Sequence, residues 1–461
     1  ALIEMYVKFR LFCEAQQVFD MLTHRDIVSW NALLAGYNLQ GHGVEVLKVI
    51  QKILIDGLSP DVVTFVLLSK ICETTGSIVQ GQDVHSHTVR VGELEKDSVV
   101  GNALVDMYAK FHMLAEAQEM FDRLTVHGII SWNALIVEYL QQGNGNEALD
   151  CYERMQLGGS FPDTFTLLCS VRACSIVQIS SKGNEIYSTI IKKGLMENGE
   201  DFGTALVDMY AKCGDFDAAE EVLVRFSGEN VATWNALIRG CNERGNYDKA
   251  LGSFDWMQFL GLSPDSVTFI SILKACGNIG SLKKGQLVHD VIAKESFEKD
   301  MLICNAIVHM YAKCGALVPA QEVFDNISFP DIVTWNTLLG GYVQYGYAKE
   351  VLHCFQQMQL CSISPNDTSF ICCLKACGSG RIAVRGKQVH AITSTWPIGI
   401  HVTSCSTLVN MYAKCGHFRE AQEMLDQLSV KDLVSWTMLI AGYAENGHGE
   451  EALTCFGQMQ Q

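Results

Sequence analysis

The 461-residue chain has no uninterrupted apolar stretch long enough to span a bilayer, and it has no C-x-x-C pair despite its 18 cysteines. The first absence argues against a membrane protein, and the second argues against a zinc site. Cationic residues are also few, because 34 lysines and arginines stand against 51 acidic residues, which gives a formal net charge of −17. That sign is unfavourable for binding nucleic acid, since such affinity usually depends on neutralising phosphates.

Motifs that carry chemistry are also missing. The sequence shows no Gly-rich phosphate loop, plausible catalytic triad or paired-carboxylate cleft. His448 and Glu450 form a literal H-x-E, but no C-x-x-C follows them, and a zinc deaminase needs both motifs. We therefore predict no enzymatic activity, no cofactor, no metal and no small-molecule substrate for these residues. The cysteines are expected to be free core thiols in a reducing compartment.

What the sequence has instead is self-similarity. Five tryptophans recur at spacings of 102, 102, 101 and 101 residues, namely Trp30, Trp132, Trp234, Trp335 and Trp436. Each tryptophan keeps helical spacing with Leu and Ile residues that follow it. The spacing therefore predicts that these side chains pack between helical hairpins and do not form a platform for stacking bases.

Each period divides into three units of about 35, 36 and 31 residues. Within residues 231–265, one apolar stripe begins at Trp234, Gly245 allows a turn, and a second stripe begins at Ala250. Pro264 then stops the second helix. Since neither helix can bury its stripe alone, the hairpins must stack on their neighbours, which predicts an all-α solenoid with a continuous core.

The segments MYAKCG, IVTWNTLLGGYVQYG, SVTFISILKACG and GLSPD resemble the pentatricopeptide repeat family, in its PLS subclass of alternating P, L and S units. The resemblance covers the whole chain and implies a right-handed α-solenoid superhelix of helix-turn-helix repeats. A truncated unit at each end leads us to expect a fragment of a longer protein. The units are partial S 1–26, P 27–61, L 62–97, S 98–128, P 129–163, L 164–199, S 200–230, P 231–265, L 266–300, S 301–331, P 332–366, L 367–401, S 402–432 and partial P 433–461.

In similar proteins, the first helices line a groove where each repeat reads one RNA base through its fifth and last residues. Carried onto this sequence, the resemblance implies uridine for Asn31 with Asp61, Asn133 with Asp163, Asn235 with Asp265 and Asn305 with Asp331; a pyrimidine for Asn336 with Asn366; adenine for Thr204 with Asn230; and guanine for Ser406 with Asp432. Asn102 with Gly128 is left unread, and Thr437 is the fifth residue of the last partial unit. The implied ligand is single-stranded RNA of sequence 5′-UNNUNAUNUYNG-3′.

The resemblance also assigns the second residue of a unit to sandwiching the base planes. In the P and S units these residues are Val28, Val99, Ile130, Ala232, Leu302 and Val333, whereas Asp201 and Thr403 depart from the aliphatic pattern. The L units carry Val66, Leu168, Ile270 and Ile371 at the fifth position. Because those side chains cannot hydrogen-bond a base edge, we expect them to act as spacers or to stack.

A lysine recurs late in the first helix of every S unit, at Lys8, Lys110, Lys212, Lys313 and Lys414. In similar proteins this position faces the phosphate backbone, although a solvated surface row is the alternative. Acidic residues such as Glu220 and Glu221 fall on second helices and are expected on the outer face. We therefore expect modest RNA affinity with strong salt dependence.

The function that this resemblance implies is sequence-specific RNA binding in a mitochondrion or chloroplast. C-to-U editing is the first choice of process, followed by stabilisation or splicing, and editing-complex proteins are expected as further partners. A protein–protein interaction scaffold of helical hairpins remains the alternative. A scaffold would carry arbitrary groove residues, whereas each P unit has a short polar residue at its fifth position.

Overall fold

The computed structural model describes residues 1–40, 46–90, 97–195, 200–226, 230–295, 297, 300–394, 402–428 and 433–460. Across these residues the regular structure consists of 28 α-helices without a strand, which confirms the predicted all-α class. The helices are α1 Leu2–Lys8, α2 Phe12–Asp20, α3 Ile27–Gln40, α4 Val46–Ile55, α5 Val62–Thr75, α6 Ile78–Arg90, α7 Ser98–Lys110, α8 Leu114–Arg123, α9 Ile129–Gln141, α10 Gly145–Leu157, α11 Thr164–Val177, α12 Ser180–Lys192, α13 Glu200–Cys213, α14 Phe216–Phe226, α15 Val231–Glu243, α16 Tyr247–Phe259, α17 Ser266–Ile279, α18 Leu282–Lys294, α19 Met301–Lys313, α20 Leu317–Asp325, α21 Ile332–Gln344, α22 Ala348–Leu360, α23 Asp367–Ser379, α24 Ala383–Ser394, α25 Val402–Lys414, α26 Phe418–Gln427, α27 Leu433–Glu445 and α28 Gly449–Met459.

The chain forms two compact units, Ala1–Ala236 and Leu237–Gln461. Inside each unit, an odd-numbered helix packs against its even-numbered partner and against the next odd-numbered helix, as α5 does with α6 and α7 and as α17 does with α18 and α19. The odd-numbered helices thus form one continuous layer within a unit. Each hairpin is buried by its sequence neighbours, as expected for a solenoid.

Several first helices begin at a carboxylate or amide that caps them. Asp61 Oδ1 accepts a hydrogen bond of 2.8 Å from the backbone N of Thr64, while the Asp61 backbone N donates to Thr64 Oγ1 at 3.2 Å. This reciprocal capping box satisfies two backbone donors that a helix start otherwise leaves unpaired. The same box starts α11 at Asp163, α17 at Asp265 and α23 at Asn366.

The tryptophan ladder lies in the core, as the sequence predicts. All five side chains are at most 8% exposed, and Trp234 is fully buried. Trp132 meets Phe121 of the preceding hairpin edge to face, with ring centroids 4.5 Å apart, and Trp30 meets Phe19 in the same way at 4.6 Å. Aromatic pairs of this geometry add to the free energy gained from burial alone. The ladder therefore joins consecutive hairpins.

A second set of contacts between hairpins is polar. The tyrosine hydroxyls of first helices donate to glutamine side chains of the preceding second helix, at 2.6 to 3.1 Å. These pairs are Tyr37 with Gln16, Tyr139 with Gln118, and Tyr342 with Gln321. Because a buried hydroxyl needs a partner, the contacts also fix how one hairpin docks on the next.

The cysteines are free thiols. Twelve of them are buried, and burial raises the pKa of Cys72, for example, to about 12. Within the described residues there is no group of three potential metal ligands. None of the helices in that part of the chain combines the length and apolarity needed to cross a bilayer.

Candidate nucleic-acid interface

The second, fifth, ninth and thirteenth residues of a first helix fall on one face, because they are three or four positions apart. Between α7, α9 and α11 this face opens into a groove of about 510 Å³. Ile130 and Phe165, the second residues of two consecutive units, line it together with Asn133 and Lys110. The groove thus brings together an apolar pair, a polar amide and a cation.

The fifth residue of a P unit and the last residue of the same unit lie side by side. Asn31 Nδ2 donates to Asp61 Oδ1 at 3.0 Å. The equivalent distance is 3.3 Å from Asn133 Nδ2 to Asp163 Oδ1. Asn336 Nδ2 donates to Asn366 Oδ1 at 3.0 Å. The residues that the sequence pairs at a separation of 30 positions are therefore direct neighbours in space.

A hydroxyl from the next unit completes each of these pairs, and sequence reasoning missed it. Thr64 Oγ1 lies 2.8 Å from Asn31 Oδ1 and 2.7 Å from Asp61 Oδ1. Thr166 repeats the contact with Asn133 at 2.6 Å. The signal was available, because the third residue of every P and L unit is Ser or Thr: Ser29, Thr64, Ser131, Thr166, Thr233, Thr268, Thr334, Ser369 and Ser435.

These contacts use only part of the hydrogen-bonding capacity of the pair. Asn31 has one N–H bound to Asp61 and one lone pair bound to Thr64, so it keeps one further N–H and one lone pair. Burial alone would raise the pKa of Asp61, but hydrogen bonds from Thr64 and Asn31 hold it below the ordinary 3.8. At neutral pH the site therefore offers a fixed donor beside an ionised acceptor.

The S units build variants of the same arrangement. Asn305 Oδ1 accepts from Thr334 Oγ1 at 2.6 Å, and Asp331 Oδ1 accepts from the backbone N of Thr334 at 2.8 Å. The hydroxyls of Thr204 and Thr233 lie 2.8 Å apart. The third residue of the following P unit thus contacts the fifth residue of the S unit.

The remaining S-unit residues are placed as follows. Asn230 Oδ1 accepts from the backbone N of Ala232 at 2.9 Å, and Ser435 Oγ donates to Ser406 Oγ at 2.8 Å. Asp432 lies outside the described residues. In the unread unit, Asn102 Oδ1 accepts from the backbone N of Gly128 at 3.1 Å, so the backbone occupies the place of a side-chain partner.

Three further predicted reading residues differ in exposure. Asn235 is only 8% exposed, while Asp265 is exposed and accepts at 2.8 Å from the backbone N of Thr268. Thr437 is exposed, and its hydroxyl donates to the carbonyl of Leu433 in its own helix. The L-unit fifth residues Val66, Leu168, Ile270 and Ile371 are half-buried.

The second residues form an apolar row on the surface. Val28, Val99, Ile130, Leu302 and Val333 are 55 to 65% exposed, and Ala232 is exposed as well. The row continues through residues that were not predicted, namely Val63, Phe165, Val267 and Val434, at 50 to 53%. Val63, Phe165 and Val267 are the second residues of L units and Val434 is that of the last partial P unit, so an apolar second residue was the available signal. The side chains of Asp201 and Thr403 fall outside the described residues.

The five recurring lysines do not share one environment. Lys110 Nζ lies 2.7 Å from Glu73 Oε2 and 2.8 Å from Asp106 Oδ2, and Lys212 Nζ lies 2.9 Å from Asp208 Oδ2. Lys8 and Lys313 are exposed and Lys414 is half-buried. The literal H-x-E gives no ligand cluster among the described residues, and His448 Nδ1 lies 3.6 Å from Glu451 Oε1.

Models of this repeat match along the chain. A "PPR repeat family" model matches residues 229–278 and 330–379, a "PPR repeat" model matches 102–129, 130–160, 204–231, 403–433 and 434–461, and a "Pentatricopeptide repeat domain" model matches 23–74. The chain is also 31% identical over 460 residues to pentatricopeptide repeat-containing protein At4g18520, chloroplastic, of Arabidopsis thaliana, covering 100% of this chain and 74% of that relative. The chain belongs to the pentatricopeptide repeat family.

Other pentatricopeptide repeat proteins give the same result. The chain is 31% identical to At3g53360, mitochondrial, of Arabidopsis thaliana, covering 100% of this chain and 60% of that relative. It therefore spans about half to three quarters of the length of the curated relatives it matches. The maize protein PPR10 has a similar fold, with a TM-score of 0.53 at 16% identity over 99% of this chain and 78% of PPR10. PPR10 has also been solved in complex with an 18-nt psaJ RNA element, a structure with a TM-score of 0.54 at 17% identity, covering 99% and 68% of the two chains.

Proposed function

We propose that this chain binds single-stranded RNA sequence-specifically, with one base read by each P or S unit of a PLS array. The observation that carries the proposal is the groove between α7, α9 and α11. There, Ile130, Phe165 and Asn133 line the same space. Two apolar side chains can hold a base by its faces, while the amide reaches its edge.

The hydrogen-bonding capacity of the pair favours uridine. Uracil presents an N–H flanked by two carbonyl oxygens along its Watson–Crick edge. The free N–H of Asn133 can donate to one carbonyl, and the carboxylate of Asp163 can accept from the ring N–H. Cytosine places a ring lone pair where uracil has that N–H, so it faces the carboxylate unfavourably. Asn366 can donate or accept, which is consistent with either pyrimidine opposite Asn336.

The remaining base assignments rest on the resemblance to the repeat family, and together they give the ligand 5′-UNNUNAUNUYNG-3′. PPR10 was solved with an RNA element, which supports RNA as the class of ligand. Relatives named mitochondrial and chloroplastic support an organellar location. We place C-to-U editing first as the process, ahead of stabilisation or splicing, with editing-complex proteins as partners of the whole protein.

The test is fluorescence anisotropy with a 12-nucleotide RNA of the proposed sequence, against purine-swapped and DNA versions, across a salt series. Replacing the fourth nucleotide, opposite Asn133, by adenine should weaken binding by about 1–3 kcal/mol, roughly 5- to 150-fold. The matched control replaces the third nucleotide, opposite the unread Asn102, and should have a smaller effect. Equal binding to all these oligonucleotides would overturn base reading.

A compensating variant makes the test sharper. The double substitution Asn133→Thr with Asp163→Asn copies the natural pair Thr204 and Asn230, for which we propose adenine. It should therefore exchange the preference at the fourth nucleotide from uracil to adenine. Loss of affinity without that exchange would show that Asn133 supports the fold and does not read a base.

One observation favours the scaffold as a second candidate. The residue near the end of the second helix in each complete P unit is a large apolar side chain that is 76 to 88% exposed: Ile55, Leu157, Phe259 and Leu360. Exposed apolar side chains of this kind can contact a protein partner. If the parent chain binds none of the oligonucleotides, whereas Leu157→Asp abolishes association with an editing-complex protein, the scaffold replaces RNA binding as the function.

A further inference from the structure

The first helix of each complete L or S unit carries one recurring cation, at the ninth residue of an L unit or the thirteenth residue of an S unit. We name these residues the cationic row: Lys70, Lys110, Arg172 and Lys212 in the first compact unit, and Lys274, Lys313, Lys375 and Lys414 in the second. Helical spacing puts both positions on the face that carries the reading residues. Lys110 lines the same groove as Asn133.

In the first compact unit, carboxylates neutralise the S-unit members of the row. Lys110 is bound by Glu73 of α5 and by Asp106 of its own helix, at 2.7 and 2.8 Å. The side chains of Glu73 and Asp106 are only 10 and 21% exposed, so water screens these pairs poorly. Burial acts to lower the pKa of Lys110, but the hydrogen bonds that Lys110 donates to these carboxylates outweigh it and raise that pKa.

The second S unit of the first compact unit repeats the arrangement. Lys212 Nζ pairs with Asp208 Oδ2 at 2.9 Å. Ser175 Oγ donates to the same carboxylate oxygen at 3.0 Å and holds it in place. Asp208 occupies the ninth position of its S unit, as Asp106 does one super-period earlier. Both lysines therefore have a fixed anion of this chain within contact distance.

The second compact unit lacks these acids at every equivalent position. His309 and Asn410 stand where the first unit has Asp106 and Asp208. Gly277 and Gly378 stand where it has Glu73 and Ser175. Beyond their first residues, helices α17, α19, α21, α23 and α25 contain four lysines and no aspartate or glutamate.

The two charged side chains that act on His309 are both cationic. In the described residues, neither Lys313 nor Lys414 forms an ion pair. Burial lowers the pKa of His309, and the positive charges of Lys313 and Lys274 lower it further, without an opposing acid. Lys274 and Lys313 therefore both act on the His309 side chain, and no acidic group of the described residues is among the causes of its pKa shift. An external anion would relieve that repulsion.

We propose that the two compact units divide the work of binding RNA. The second unit supplies the contacts to phosphate through Lys274, Lys313, Lys375 and Lys414, whereas Lys110 and Lys212 of the first unit serve mainly to neutralise its own carboxylates. A phosphate near Lys110 must displace Glu73 and Asp106, and the cluster of these three charges is net negative. Few counterions are therefore released there. This inference rests on the proposed RNA-binding function.

The test measures the salt dependence of affinity for the 12-nucleotide RNA with two matched double variants. Lys313→Gln with Lys414→Gln should reduce the slope of log K against log salt by roughly 1.4, because single strands give about 0.7 per phosphate contact. Lys110→Gln with Lys212→Gln should change the slope by less than half as much. Circular dichroism of both variants checks that the helices are retained.

A gain-of-function variant tests the same idea from the other side. Asp106→Asn with Asp208→Asn copies Asn410 of the second unit and should make the slope steeper, because Lys110 and Lys212 become available to phosphate. Equal slope losses in the two lysine variants, or no change on removing the aspartates, would overturn the division. Absence of RNA binding by the parent chain would instead overturn the proposed function, so the two failures are distinguishable.

Discussion

The residue proposed to read a base also starts the next helix, and Asp163→Ala tests that double role. Asp163 Oδ1 accepts hydrogen bonds from the backbone N of Thr166 at 2.7 Å and from Asn133 Nδ2 at 3.3 Å. It also lies 2.7 Å from Thr166 Oγ1, whose one proton can go either to it or to Asn133 Oδ1. The alanine variant loses the cap of α11. Loss of such a cap costs about 1 kcal/mol, with a range of roughly 0.5–2 kcal/mol.

Because each hairpin is held by its neighbours, the loss should be largest locally. Native-state hydrogen exchange of the Thr166 amide reports it directly, and 1 kcal/mol corresponds to exchange about fivefold faster. The matched control is Asp163→Asn. Asn366 forms the same capping box at the start of α23, so asparagine should keep the helix start while changing the base preference.

Two outcomes would refute this reasoning. If Asp163→Asn accelerates exchange of the Thr166 amide as much as Asp163→Ala does, then the negative charge of Asp163 stabilises the helix start through the helix dipole. The hydrogen bonds of the cap would then not be what stabilises it. If Asp163→Ala leaves the Thr166 amide equally protected, the capping box does not start the helix. In either case the coupling between reading a base and folding would be absent at this position.

The remaining predictions concern pH, packing and thiol reactivity. Hydrogen bonds hold the pKa of Asp61 below 3.8, so the stability that Asp61 contributes is complete above its unfolded-state pKa and is lost as pH falls through its folded-state pKa. Urea unfolding below about pH 4 should show this loss of stability. The variant Asp61→Asn should show a weaker dependence of stability on pH. Trp234→Ala should destabilise the fold by about 3–5 kcal/mol in urea unfolding, whereas Trp256→Ala, at a partly exposed position, should cost clearly less. In the native state, a thiol reagent should label the exposed Cys361 quickly and the buried Cys373 only on unfolding, because burial raises the pKa of Cys373; equal labelling rates would contradict the packing.

Much of the fold could be predicted from the sequence because its determinants are periodic. The tryptophan spacing located the contacts between hairpins, and apolar stripes located both helices of each unit. These two inferences need only the position of a residue on a helix face. The pairing of Asn31 with Asp61, 30 residues apart, came instead from the resemblance to the repeat family, and the structure places the two side chains in contact. Their roles in reading bases stay predictions.

What sequence reasoning missed depends on atoms that meet across units. Thr166 contacts Asn133 from 33 residues away, and position on a helix face does not say which hydroxyl reaches which amide. The environment of Lys110 was missed for a similar reason. One of its partners, Glu73, comes from the preceding unit, 37 residues earlier. An identical lysine position therefore had two different electrostatic environments.

The packing of each odd-numbered helix on its sequence neighbours also bears on how the chain acquires its structure. Native contacts join residues close in sequence, so little loop-closure entropy must be lost before a hairpin gains its first stabilising contacts. A chain that emerges one end first, from a ribosome or through a translocation pore, can therefore fold its emerged hairpins before the rest of the chain has emerged. Each new hairpin covers the apolar face that the previous hairpin left exposed. The apolar surface available for aggregation therefore stays at about that of one hairpin during the whole process.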